Sequence, residues 1–362
     1  MSKPDQADNF SYSFIGPADI PDCIQVVLNS FTEFQQTPEC VGDWLERRIL
    51  NNPWQAAFPG IGVGVRDQGK LIGFRAIFAQ PWWLDGQSTV IAFAANTSVD
   101  STYRGRGIGT ELIDQCRHFA AMTSSTSAGV VTQKAYRKLG YAAIGGDSND
   151  FFRLRSSFKA SWQKRVGTSA GRIIGSLFDL SLLLRDAKLR RAGFNLTEET
   201  RCGDEYDVLW NQARGGYVSC LERSSRYLNW RIFDFPTCPL KLMGLRDASG
   251  RLRAYAVWHR QAFGDGIDMA VLRDVFYRLD DSEALPALLY RLYAYWREIG
   301  MTWINLEVAA PWLTSVFRDL GYEALPSQGN RYHVFSEPPL PAAVTEAWYR
   351  SGLDGDYFDN PL

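Results

Sequence analysis

The chain has 362 residues, 46% of them hydrophobic and 22% charged, and a formal net charge of −1. That length suits two domains of ordinary size, and the composition excludes a disordered chain. Near-neutrality excludes a global basic field, so bulk nucleic-acid binding has no support. Residues 1–9 are polar and hold no apolar signal segment, which predicts a cytosolic protein. The cysteines (23, 40, 116, 202, 220 and 238) form no C-x-x-C pair, and the three histidines (118, 259 and 333) are far apart. Neither a zinc site nor a redox motif is implied, and a metal centre has no sequence support. Aromatic residues make up 14%, with 12 Trp, which reads as large cores.

In chain order, Phe10 to Ile15 alternates as a short edge strand. A helix is expected from Pro17 to about Phe34, with Ile24, Val27, Leu28 and Phe31 inward, and a second from Val41 to Asn51. Gly62–Val65 and Leu71–Phe78 read as a hairpin across Asp67-Gln68-Gly69-Lys70. Pro81-Trp82-Trp83-Leu84 reads as core. Asp85-Gly86 then turns the chain into a strand from Val90 to Val99.

Next comes Arg104-Gly105-Arg106-Gly107-Ile108-Gly109, followed by a helix-like run to Ala120. Ile108, Leu112, Cys116 and Phe119 share one face of that run; Glu111, Asp114, Gln115 and Arg117 share the other. Strand, glycine turn and helix in that order leave bare N–H groups beneath a positive helix end, a site for phosphate or pyrophosphate. The P-loop pattern G-x-x-x-x-G-K-[ST] is absent. A dinucleotide fingerprint would place its third glycine at Thr110, and Met122-Thr123-Ser124-Ser125 stands where it wants an acidic residue.

The remaining pattern, R-x-x-G-x-G at 104–109, resembles motif A of the GNAT N-acetyltransferase superfamily, and Tyr136-Arg137-Lys138-Leu139-Gly140-Tyr141 resembles that family's Y-x-x-x-G-[FY] segment. The resemblance implies acetyl-CoA as co-substrate, with its pyrophosphate held by Arg104, Gly105, Arg106, Gly107, Ile108, Gly109 and Thr110. It implies a pantetheine arm paired with the backbone of Thr97, Ser98 and Val99, in a gap between two splayed parallel strands. The second of these strands is expected at Ala128–Thr132. Tyr136 is the implied acid for the departing thiolate. Asp100 is the base considered, although a turn cap is its readier role; a water-mediated base, or a carboxylate of the second unit such as Asp268 or Glu307, is an equal option. Glu33 and Glu39 are candidate contacts for the acceptor amine.

Tyr141–Ile144 and a strand near Phe151–Arg155 are expected to close the first unit. Lys159 to Ala192 is basic and partly apolar, with Ile173, Leu177, Leu180 and Leu184 at helical spacing. It is too short in apolar residues for stable membrane insertion. Peripheral contact through 168–191 was weighed against a connector packed between domains, and the connector was preferred. From Tyr206 onward the order of elements repeats the first half, ending in Phe317-Arg318-Asp319-Leu320-Gly321-Tyr322. The glycine turn, however, is replaced by Arg278-Leu279-Asp280-Asp281-Ser282. Tyr227-Leu228-Asn229-Trp230-Arg231 resembles tandem GNAT proteins among bacterial polysaccharide-modifying enzymes.

The expectation is therefore an α/β (α+β) protein of two tandem GNAT-like mixed sheets. Each sheet is mostly antiparallel with one splayed parallel pair and flanking helices. The expected boundaries are an acyl-CoA-binding unit at 1–158, a connector at 159–199, a degenerate unit at 200–340 and a tail at 341–362. The implied activity is transfer of an acetyl group to a small-molecule or sugar amine by direct attack in a ternary complex. A Fem-like aminoacyltransferase and a non-catalytic acyl-CoA sensor remain as alternatives.

Overall fold

The structure is a computed structural model and describes residues 10–30, 37–126, 129–144, 151–235, 238–263, 267–325 and 332–355. Glu33, Ala128 and the tail beyond 355 lie outside the described residues.

The first half runs β1 (Ser11–Ile15), α1 (Ile20–Ser30), α2 (Pro38–Leu45), β2 (Gly62–Asp67), β3 (Lys70–Leu84), β4 (Gln87–Val99), α3 (Ile108–Cys116), β5 (Met122–Ser125), α4 (Val130–Lys138), β6 (Ala142–Ile144) and β7 (Phe152–Arg155). A helical hairpin follows, α5 (Lys159–Val166) and α6 (Thr168–Ala187). The second half opens with β8 (Asn195–Glu198), α7 (Asp204–Ala213), β9 (Ser219–Leu221) and α8 (Ser225–Leu228). It continues with β10 (Lys241–Arg246), β11 (Leu252–Phe263), β12 (Ile267–Tyr277), α9 (Ala284–Glu298), β13 (Trp303–Leu306) and β14 (Val308–Ala309). It ends with α10 (Pro311–Asp319), β15 (Glu323–Ala324), β16 (Tyr332–Ser336), α11 (Ala342–Glu346) and β17 (Arg350–Ser351).

Two mixed sheets result, each with one parallel pair. The first has the order β1-β2-β3-β4-β5-β16-β6, with β9 on β3; the second has β15-β7-β13-β12-β11-β10-β8. The parallel pairs are β4 with β5 and β12 with β13. The halves exchange strands. β7, expected to close the first unit, pairs with β13 and β15 in the second sheet. β16, from the second half, lies between β5 and β6 in the first. One buried cluster extends from Ile15 to Leu353 across both sheets.

The first sheet is covered on both faces. Phe74, Phe78 and Phe93 face α1 and α2, while Ile72, Ile77, Ala92 and Ala94 face Ile108, Leu112 and Cys116 of α3. Strand alternation, offset by the irregularity that leaves Ile72 over in the β2–β3 ladder, separates these two sets. Each half also follows its second helix with a wide π-type turn, Glu46–Leu50 and Asn229–Phe233. Arg48 and Arg231, buried in those turns, both donate to the carbonyl of Gly355, at 3.1 and 3.0 Å. The C-terminal segment thus ties the halves together.

The strand expected at Ala128–Thr132 is a correction. Val130, Val131 and Thr132 begin helix α4, and the strand beside β4 is Met122–Ser125. β-branching suggests extended backbone, but the buried strand is the polar one, and two of its three hydroxyls find partners. Thr123 Oγ1 donates to the Cys116 carbonyl, 3.1 Å, and Ser125 Oγ accepts from Arg75, 3.0 Å. A second correction concerns α6. Ile173, Leu177, Leu180 and Leu184, expected to pack between domains, are 66, 63, 54 and 74% exposed.

Candidate active site

β4 pairs with β5 only at Ala92–Thr123 and Phe93–Ser124. Beyond Phe93 the two parallel strands part. Along the other edge of β4 the register with β3 slips between Ala95 and Thr97, leaving Asn96 as a bulge with φ +46°. A bulge interrupts the ladder and re-aims nearby backbone groups. An asparagine tolerates the left-handed conformation better than most residues.

After β4, Asp100 caps a short turn. Its carboxylate accepts from the Thr102 amide (3.0 Å), the Thr102 hydroxyl (2.7 Å) and Asn29 Nδ2 (3.2 Å). Burial alone would raise the Asp100 pKa, but these hydrogen bonds hold it below the usual carboxylate value. Asp100, considered as general base, is thus placed as the cap of this turn, with three hydrogen bonds to its carboxylate.

Gly105 and Gly107 adopt φ +81° and +80°, and Gly107 caps the N-terminus of α3. Gly109 brings the helix against β4, since a Cβ there would lie 3.9 Å from Thr97 Cγ2. A cavity of about 350 Å3 opens at this helix end. Its walls include Thr97, Val99, Arg104, Gly107, Gly109 and Thr110, with Ser30 from α1 and Val131, Thr132 and Ala135 from α4. Six of the residues singled out in the sequence therefore meet in one place. The others do not line it. Ser98 is buried on the opposite face of β4, Ile108 is buried in the core, and Arg106 stacks over Tyr103. Gly105 lies in the turn outside the wall. Arg104 fixes the turn to α1 by donating to the Ser30 carbonyl.

Behind the cavity sits a residue that sequence reasoning did not select. Arg75, 3% exposed, spans the gap between the parted strands. It donates to Thr97 Oγ1 and the Ala94 carbonyl on β4, to Ser125 Oγ on β5, and to Tyr136 Oη on α4. No carboxylate pairs with it among the described residues. The groups around it are neutral: burial pushes the Cys116 thiol up to about 11 and raises the Tyr141 phenol well above its ordinary value. Arg75 is thus a buried cation with no counter-charge among the described residues. The available signal was a lone arginine within the apolar run Leu71–Phe78.

Tyr136, the implied acid, is set back from the cavity. It is 1% exposed, is not part of the cavity wall, and accepts from Arg75. Its ring lies 4.7 Å from both Tyr141 and His333, the latter from the exchanged strand β16. This is a packed, hydrogen-bonded phenol rather than one facing a departing group. Of the remaining carboxylates, Glu39 sits in the first turn of α2, where a hydrogen bond to its own backbone amide and one from Thr37 lower its pKa. Asp268 pairs with Arg260, and Glu307 pairs with Arg273, both in the second sheet.

The corresponding place in the second half is filled. β12 has a bulge at the same point, where Arg273 is left over between Leu272 and Asp274. There the strands stay paired from Met269–Trp303 to Leu272–Leu306, and the Arg273–Glu307 ion pair lies beside them. At the start of α9, Asp281 Oδ1 accepts from the amides of Glu283 and Ala284, both at 3.2 Å. The chain's own carboxylate occupies that helix end.

Comparison with known proteins agrees with this architecture. Residues 60–143 match the model of the acetyltransferase (GNAT) domain. Among solved structures, a GCN5-related N-acetyltransferase from Anabaena variabilis aligns over 90% of this chain and 72% of its own, with a TM-score of 0.58 and 15% identity. A tandem GNAT protein from the clavulanic acid biosynthesis pathway aligns over 92% of this chain and 100% of its own, at 0.51 and 14%. Saccharomyces cerevisiae N-myristoyltransferase with bound myristoyl-CoA aligns over 93% and 82%, at 0.51 and 12%. At these identities the likeness is one of fold. A search of curated proteins gave no match.

Proposed function

We propose, from the match of residues 60–143 to the acetyltransferase (GNAT) domain model and the fold shared with a tandem GNAT protein, that this chain is an acyl-CoA-dependent N-acyltransferase whose first half binds the co-substrate. The observation that carries the reading is the cavity where the open N-terminus of α3 meets the parted end of β4 and β5. In this reading the amides at Gly107 to Thr110 hold the pyrophosphate of acetyl-CoA, aided by Arg104. The pantetheine arm runs along the backbone of Thr97 to Val99, and the thioester lies toward the bulge at Asn96, where re-aimed backbone polarises its carbonyl. The amine of a small molecule or sugar attacks directly. Its C–N bond forms as the C–S bond breaks, and the proton that the nitrogen loses passes through solvent to the departing thiolate, so that CoA leaves as the thiol. Arg75 acts from beneath as a positioning residue. By donating to Thr97 Oγ1 it turns the threonine's own proton toward the cavity, and its uncompensated charge favours the thiolate.

The second half, with its helix end self-capped by Asp281, serves as a degenerate unit that lends β16 and scaffolds the first. Calorimetric titration with CoA, combined with thiol release from acetyl-CoA across a panel of amines, tests the reading. Micromolar CoA binding that is lost in Gly107→Glu, together with amine-dependent thiol release, is expected. Absence of CoA binding by the folded wild type would overturn it.

A further inference from the structure

Helix α6 is inside-out. Its protein-facing positions are Gly171, Gly175, Asp179, Leu182 and Asp186, spaced by three or four. Its opposite face, exposed to solvent, presents Ile173, Leu177, Leu180 and Leu184, with Phe178 and Leu183 beside them. The polar inward face has structural reasons. Gly171 and Gly175 let α5 approach so closely that a Cβ on either would fall within about 2.5 Å of the backbone of Gln163 or Lys159. Asp179 caps α5, accepting from the Phe158 amide (2.7 Å) and Ser157 Oγ (2.9 Å). Asp186 accepts from Arg185 and from Arg297 on α9, which locks the hairpin to the second sheet. With the acids turned inward, the leucines are turned out.

The charge of this region is also one-sided. Residues 159–191 hold eight basic and two acidic side chains in a chain of net charge −1. Both acids, Asp179 and Asp186, are buried. What reaches solvent is an apolar stripe rimmed by Lys164, Arg165, Arg172, Lys188 and Arg190. Half-buried Trp162 stacks on Phe178, 5.2 Å between centroids, and the Arg165 guanidinium lies 5.5 Å from the Trp162 ring centre. No described helix is long and apolar enough to cross a membrane.

We propose that the α5–α6 hairpin docks this chain in the plane of an anionic lipid surface, leucines toward the acyl chains and cations at the headgroups. The combination of apolar stripe, basic rim and interfacial tryptophan matches that environment. A second copy of the chain fits less well, because pairing two such stripes brings two basic rims together. The inference stands independently of the acyltransferase reading.

The test is co-sedimentation of the full chain with phosphatidylcholine vesicles and with mixed phosphatidylcholine–phosphatidylglycerol vesicles. Binding to the mixed vesicles alone is expected, and it should weaken as salt shortens the screening length from about 10 Å at 0.1 M to about 3 Å at 1 M. Leu177→Glu combined with Leu184→Glu should lower binding by about tenfold or more. It should leave the thermal midpoint unchanged, because both side chains are exposed. Two results would overturn the proposal. One is no sedimentation with either vesicle. The other is a wild-type dimer that the double variant dissociates in sedimentation velocity, without vesicle binding, which would assign the face to a second copy.

Discussion

Arg75 on β3 donates to Tyr136 Oη on α4 at 2.5 Å, across the space where β4 and β5 part. The bond joins a strand, a helix and the floor of the cavity through one buried cation. Tyr136→Phe removes an acceptor from a charged donor, so it should destabilise the fold by about 1.5–3 kcal/mol. CoA affinity should hold, and kcat should fall by less than about tenfold. Urea unfolding beside steady-state thiol release checks this. A fall in kcat of a hundredfold or more at unchanged stability would restore the acid role to Tyr136.

At Gly107 the surroundings are open and the constraint is the backbone, φ +80°. Gly107→Ala should therefore cost about 1 kcal/mol of stability through left-handed strain and keep CoA binding. Gly107→Glu brings the same strain plus a carboxylate at the anion site, and should reduce CoA affinity by about a hundredfold or more. Calorimetric titration of the two variants separates backbone strain from charge.

Asp100→Ala should behave as the loss of a cap. Stability should fall by about 1 kcal/mol. The acidic limb of the kcat/KM profile against pH should not move. A lost or displaced acidic limb in this variant would make Asp100 the base after all.

Two buried groups set opposing pH dependences of stability. Burial pushes Asp354 up to about 6, against the pull of Arg223. The native state therefore holds a proton that the unfolded state gives up above ~4, and stability falls as pH rises from about 4 to 6. Burial, aided by Arg273, pushes His259 down to about 4. The unfolded state then takes the proton first, and stability falls as pH drops from ~6.5 to 4. Each group alone gives a slope of at most about 1.4 kcal/mol per pH unit, and the two oppose each other between about 4 and 6. Relative to wild type, Asp354→Asn should lose stability on acidification through that window and His259→Gln should gain it. Urea unfolding at several pH values checks both signs.

The sequence made the first half legible where the physics is local. Glycines with positive φ, the alternation of β2 to β4 and the amphipathic α3 each carry their signal within a few residues. Thr97, Val99, Arg104, Gly107, Gly109 and Thr110, which the family resemblance implies, all line the cavity. What stayed hidden depends on distant partners. Met122–Ser125 is too polar to read as a buried strand until Arg75 and the Cys116 carbonyl are beside it. The exchange of β7 and β16 leaves no mark in either strand, since alternation says that a strand exists and not which sheet receives it. The stripe on α6 was visible as a pattern. Its outward direction was not, because spacing fixes which residues share a face and leaves open what that face meets.

The position of β16 also sets when the first sheet beside the cavity can be completed. Between β5 and β6 the first sheet is incomplete until residues 332–336 arrive, almost two hundred positions after β6 is made. During translation, the nascent glycine cradle would emerge early beside a sheet with a missing interior strand. Closure must await nearly the whole polypeptide, a high-contact-order step that slows maturation and exposes unpaired backbone meanwhile. Cutting out the first half as a minimal enzyme would recreate that unfinished intermediate.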